Sequence, residues 1–192
     1  MNKIILASKS PRRKQLLEWA EIPFEILVCE TDETYPKHLS LEEIPIHIAR
    51  QKAIAARDYI EINSIQEPAP ILSADTIVVV ESEVIGKPRD EAEAIRILQK
   101  LSGNTHRVMT GVTILWEGRE HSFCDITEVS FHPLSEEQIR YYVKQYQPFD
   151  KAGAYAIQEW IGVTGIKSIQ GDFYNVMGLP VSRVVKILSE IR

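Results

Sequence analysis

Residues 4–17 read IILASKSPRRKQLL, and the order of residue types in this stretch decides the architecture. The apolar run Ile4 to Ala7 meets a short polar segment, Ser8-Lys9-Ser10, and Pro11 then opens an amphipathic pattern carrying Leu16, Leu17 and Ala20. That order spells strand, tight connection, helix. Ser10 is placed to cap the helix by accepting a bond from a first-turn N–H. Pro11 suits the first helical position because its missing donor would have had no partner there. Four cations, Lys9, Arg12, Arg13 and Lys14, crowd this start. Basic side chains beside the positive end of a helix dipole are unfavourable unless an anion joins them, so the stretch reads as a cradle for a phosphate chain. A solvated basic first turn is the plainer alternative.

The rest of the chain supplies a body for that cradle. With 192 residues and 44% hydrophobic content it can bury a substantial core, and we expect one folding unit over residues 1–192. A net charge of -5 argues against general nucleic-acid or membrane-surface binding, which normally needs a basic excess. Cys29 and Cys124 are far apart in sequence and belong to no CxxC pair, so reduced thiols are expected. The apolar segment at the N-terminus is too short for a signal peptide and no run approaches a membrane span, which points to a cytoplasmic protein.

Downstream, Phe24, Ile26 and Val28 read as a strand leading to the acidic loop Glu30 to Thr34. Its carboxylates offer a hard-metal ligand or are simply solvated. Ser40 with Glu43 makes a capping-box pattern, while Pro45 argues equally for a helix start near Ile44. That helix should run to about Tyr59, with Ile48, Ala55, Ala56 and Tyr59 on its apolar line. Lys52 lies on or beside that line, either snorkelling to the rim or aiming a cation into a cleft. Ile71 to Val80 is almost continuously apolar and β-branched at its end, the mark of a central strand buried on both faces. Asp75 interrupts it. An ionised carboxylate there is costly unless it is paired, hydrogen-bonded or on a metal, so Asp75 reads as functional. A turn at 81–83 returns the chain as a second strand, bringing Lys87 back towards the level of Asp75 or just beyond.

Asp90 with Glu93 caps a helix whose inner face is Ala94, Ile95, Leu98 and Leu101 and which Gly103 closes. Thr105 to Trp116 and Glu120 to Phe131 form a long hairpin, with Gly111 marking a bulge or a close backbone approach. Ser135 with Gln138 starts a helix placing Ile139, Tyr142, Val143 and Tyr146 in the core. Residues 149–158 are small-residue rich and suit close approach to a ligand. Gly165 to Ile169 reads as a strand, and a last helix presents Val184, Val185, Leu188 and Ile191.

Several chemistries are excluded. No GxxxxGK[ST] loop and no GxGxxG occur, and five histidines lack metal-ligand spacing; His106, alone in a strand, reads as structural. What the chain does carry, in order, is SKSPRR at Ser8–Arg13, an acid at Glu33, RQKA with Lys52, ADTIV at Ala74–Val78, and GKP at Gly86–Pro88. There follow SGNTHRVMTG at Ser102–Gly111, DKAGAYAIQ at Asp150–Gln158 and YNVMGLP at Tyr174–Pro180. Together these resemble the Maf family of nucleoside triphosphate pyrophosphatases, once described as septum-formation inhibitors, and within it the branch acting on dTTP and UTP.

The resemblance implies a two-lobed α/β fold, a long twisted mixed β-sheet flanked by helices with a cleft between lobes, as in Maf and ITPase-like proteins. It implies hydrolysis of dTTP and UTP, and of modified pyrimidine nucleotides, to the monophosphate and pyrophosphate. Asp75 matches the catalytic carboxylate; Arg12, Thr76 and Gln158 match positions tied to substrate selection; Ser8, Arg13, Glu33, Lys52 and Lys87 match further cleft residues. Lys9 departs from the small residue frequent at its position. On this basis Ser8, Ser10, Arg12 and Arg13 hold phosphates and Lys52 and Lys87 neutralise departing pyrophosphate. Asp75 acts as general base or shares Mg²⁺ or Mn²⁺ with Glu33. The expected partner is a nucleoside triphosphate, with no nucleic acid and no membrane; a homodimer stays open. The alternative is a non-catalytic nucleotide-binding regulator of cell division acting through a protein partner. A haloacid dehalogenase reading fails because Ile77 stands where a second aspartate is required.

Overall fold

A computed structural model describes residues 3–64 and 69–191. Its described strands are β1 (Ile4–Leu6), β2 (Phe24–Ile26), β3 (Ile71–Val80), β4 (Glu83–Ile85), β5 (Thr105–Trp116), β6 (Arg119–Phe131) and β7 (Ile166–Gln170). The helices are α1 (Pro11–Trp19), α2 (Glu43–Ile62), α3 (Glu91–Leu101), α4 (Glu136–Tyr146), α5 (Trp160–Gly165), α6 (Phe173–Met177) and α7 (Val181–Glu190). The strands pair in the order β2-β1-β3-β5-β6-β7, with β4 on β3. Because β1 runs parallel to both β2 and β3 while β4 and β7 pair antiparallel, the sheet is mixed.

The chain groups into two compact units, each assembled from separate stretches. The first takes residues up to Asp75, Thr110–Asp125 and everything from Gly178 on. Here α2 lies against β1 and β3 through small residues: Ala53 and Ala56 join Ile5, Ala7 and Ile71 in one buried cluster. Gly111 is required by this packing. A Cβ there would stand 2.2 Å from the Pro45 carbonyl carbon and the Ile46 nitrogen, so the glycine marks a close backbone approach. Helix α2 starts at Glu43 with Pro45 in its first turn, and the reciprocal Ser40–Glu43 pair also forms, so both features of that start coexist. The helix runs three residues past Tyr59. Its buried face is Ile44, Pro45, Ile48, Ala49, Ala53 and Ala56, whereas Tyr59 is exposed, because the buried stripe keeps Ile48 and Ala56 but is rotated towards Ala49 and Ala53.

The second unit comprises Thr76–Met109 and Ile126–Met177. Asp90 accepts from the Glu93 N–H at the start of α3, and Ser135 and Gln138 form the reciprocal box at the start of α4, as their spacing implies. Tyr146 is a correction: it stacks on buried Tyr142 at 4.9 Å but lies at the surface. Two short helices, α5 and α6, escape a pattern-based reading because five or six residues carry too little periodicity. Helix α5 takes Gly165, so β7 begins one residue later than expected.

Candidate active site

Strand β1 delivers Ser8, and α1 begins three residues later. Pro11 takes the first helical position, but Ser10 makes no side-chain cap. Instead the Ser10 N–H lies 3.3 Å from the Ser8 hydroxyl oxygen, so the polar segment folds on Ser8. Arg13 completes the turn in an unexpected way. It is buried, donating from Nε to the Gly178 carbonyl at 2.8 Å and from Nη1 to Ser8 Oγ at 3.0 Å. Burial lowers its pKa, and the charge of Asp75 works in the opposite sense. Lys14 lies 3.7 Å from Glu18 one helical turn on, and Lys9 is exposed and Arg12 half-buried. The four cations therefore divide: Arg13 ties β1, α1 and the chain at Gly178 together, and Lys14 pairs along the helix.

Asp75 and Thr76 are the two half-exposed positions in the otherwise buried β3. Lys52 resolves the choice between snorkelling and a directed cation. Its ammonium stands 2.7 Å from Asp75 Oδ1 and 2.8 Å from Glu33 Oε1, with only 16% of its side chain exposed. The placement follows from local bonding. Ser73 shares a face of β3 with Asp75, two residues apart, and its hydroxyl donates to the Ala49 carbonyl at 2.6 Å; Lys52 lies one turn further along α2. The strand and the helix are thus pinned in a register that sets the lysine over the carboxylate. Glu33 arrives from the acidic loop, where Asp32 Oδ1 accepts from the Thr34 N–H.

The second unit holds Thr76, Lys87 and Gln158. In the β3–β4 hairpin Val78 pairs with Ile85, and continuing that register two residues aligns Lys87 with Thr76. Gly153 supplies a further tie: its N–H donates to the Gly86 carbonyl at 3.2 Å, with its φ of 73° and its α-carbon packed on Val78. Gln158 is exposed between buried Ile157 and half-buried Glu159.

The acids near Lys52 fit a divalent ion of a particular kind. Among the described residues no three His, Cys, Asp or Glu side chains group to hold a metal. Glu33 and Asp75, gathered on one ammonium, are two hard oxygen donors. This suits Mg²⁺ or Mn²⁺, which are commonly held by one or two carboxylates plus water and substrate phosphate, rather than a closed protein cage.

Three polar residues were not foreseen. Lys151 is buried beside Asp150 and Glu159, and Tyr142 bonds Glu159. The available signal for Tyr142 was chemical, since a tyrosine on the inner face of a helix must find its hydroxyl a partner.

The profile of the Maf family, described as Maf-like protein, matches residues 3–191, across both compact units. The chain is 53% identical over 189 residues to a dTTP/UTP pyrophosphatase of Cytophaga hutchinsonii, covering 98% of this chain and 84% of that protein. It is 48% identical to proteins of the same description from Phocaeicola vulgatus and Bacillus cereus. Those alignments cover 98% and 99% of this chain and 96% of each relative. The Ham1 protein of Staphylococcus aureus superposes over 100% of both chains with a TM-score of 0.54 at 14% identity, a likeness of fold alone. The chain belongs to the Maf-like protein family.

Proposed function

We propose that this protein hydrolyses dTTP and UTP between the α and β phosphates, releasing the nucleoside monophosphate and pyrophosphate. The observation that carries the proposal is the carboxylate pair Glu33 and Asp75 gathered on Lys52, in a chain about half identical along its length to dTTP/UTP pyrophosphatases. Ser8, Ser10 and Arg12 bind phosphate oxygens beside the N-terminus of α1, and Arg13 fixes Ser8 there while adding its charge. Asp75 takes the proton of the attacking water or shares with Glu33 the divalent ion, and Lys52 and Lys87 neutralise charge on the departing pyrophosphate. Mg²⁺ or Mn²⁺, when bound, polarises phosphate and water oxygens. Thr76 and Gln158 bear on the choice of nucleotide; a glutamine amide presents both a donor and an acceptor to a pyrimidine edge.

The test is a nucleotide panel with Mg²⁺ or Mn²⁺, measuring pyrophosphate and orthophosphate separately. We expect stoichiometric pyrophosphate from dTTP and UTP and little from other nucleotides. Orthophosphate alone would overturn the cleavage position. Tight nucleotide binding with no pyrophosphate release would favour a regulatory role instead.

A further inference from the structure

The loop that carries Gln158 is fastened by a buried polar network. Tyr142, fully buried on α4, uses its hydroxyl twice. It donates to Glu159 Oε2 and accepts from the Ala156 N–H at 3.2 Å. One oxygen thus grips the chain two residues before Gln158 and one residue after it. Lys151 adds a second hold on the same carboxylate, 3.5 Å from Glu159 Oε1 and 2.7 Å from Asp150 Oδ1, with 10% of its side chain exposed. The backbone is confined as well. Glu159 immediately precedes α5, its carbonyl accepting from the N–H groups of Gly162 and Val163. Gly162 lies so close to the Ile157 carbonyl that a Cβ there would stand 1.8 Å from the oxygen.

We infer that Tyr142, Glu159 and Lys151 are positioning residues for nucleotide selection, holding the peptide segment from which Gln158 presents its amide. This rests on the assignment of Gln158 to substrate choice. The physical need is specific. A glutamine amide turned one way offers N–H to a carbonyl and C=O to a ring N–H, which suits uracil or thymine; turned the other way it suits cytosine. Discrimination therefore depends on where the amide meets the base edge, and holding the chain at Ala156 and Glu159 fixes that position.

The experiment compares kcat/KM for UTP and CTP, with separate KM and kcat and with thermal unfolding, in the intact enzyme and in Gln158→Ala, Tyr142→Phe, Glu159→Ala and Glu159→Gln. Gln158→Ala should collapse the UTP/CTP ratio; if the ratio stands, the reading of Gln158 falls, and this inference with it. If Gln158→Ala collapses it, Tyr142→Phe and Glu159→Ala should each lower the ratio about tenfold, chiefly through a higher KM for UTP. Glu159→Gln, which keeps an acceptor for the tyrosine, should retain it to within about threefold. Either of Tyr142→Phe and Glu159→Ala suffices if the other does not fold. An unchanged ratio and KM in the folded variants, whatever their melting temperatures, would overturn the network's role while leaving that of Gln158 intact.

Discussion

Two lysines in this molecule sit in similar surroundings. Lys52 in the first unit and Lys151 in the second are largely buried, 16% and 10% exposed at the side chain, and each lies within ion-pair distance of two carboxylates. The difference is where the carboxylates come from. Those around Lys52 are drawn from a loop and from the middle of β3, far apart in sequence, and Glu33 remains half open to solvent. Those around Lys151 belong to its own loop, and Glu159 is bound a second time by Tyr142. The same ion-pair chemistry serves opposite ends. Under the proposed function the first cluster collects charge for a polyanion and its counter-ion, whereas the second fastens a segment of chain.

The sharpest break of this comparison is Asp75→Asn. The amide keeps the shape but neither accepts a water's proton nor holds a divalent ion well, so turnover should fall about a thousandfold or more with nucleotide binding largely kept. Pyrophosphate release beside equilibrium binding of a nucleotide would check it. Near-normal turnover would remove Asp75 from the chemistry.

The lysines themselves should separate next. Lys151→Met leaves Glu159 and Asp150 without their buried cation and should cost about 3 kcal/mol of stability by denaturant unfolding. Lys52→Met strands carboxylates that are at least as buried, Asp75 at 14% and Glu33 at 50% exposure, and should cost a similar amount, yet lower turnover about a hundredfold. If Lys52→Met turned over normally, the two clusters would be alike and the contrast would be void.

How much of this was legible follows from the reach of each interaction. The cradle's strand and helix, the burial of β3 and the caps of α3 and α4 depend on neighbours within a few residues, and sequence displays such neighbours directly. That Asp75 needs a partner was legible because an ionised acid alone in an apolar strand is costly, and Lys52 is a partner it finds. The bonding of Arg13 did not. Its partner at Gly178 is 165 residues away, and a basic run beside a proline reads as ligand-facing throughout. The absent Ser10 cap is likewise invisible, since Ser8 competes for the same turn. Lys151 and Glu159 lie in or beside the DKAGAYAIQ motif, but only the folded loop brings Lys151 to Glu159 and Glu159 to Tyr142.

The smallest effect concerns a buried group with no carboxylate beside it, and it extends the contrast to pH. His106 in the second unit stacks on Phe131 and shares a 2.7 Å hydrogen bond from Nε2 with the Tyr155 hydroxyl. Among the described residues its buried Nδ1 has no hydrogen-bond partner. Burial lowers its pKa from 6.5 to about 4, so the fold keeps the ring neutral where the unfolded chain would protonate it. The unfolded state therefore binds the extra proton between those values. The stability that comes from a neutral His106 is intact above pH 6.5 and drains away as pH falls towards 4. Between pH 7 and pH 5 the loss should be about 2 kcal/mol. Denaturant unfolding of the wild type and of His106→Gln at both pH values tests it, because the variant keeps a polar partner for Tyr155 but has nothing to titrate. A pH dependence as steep in His106→Gln as in the wild type would place the acid sensitivity elsewhere.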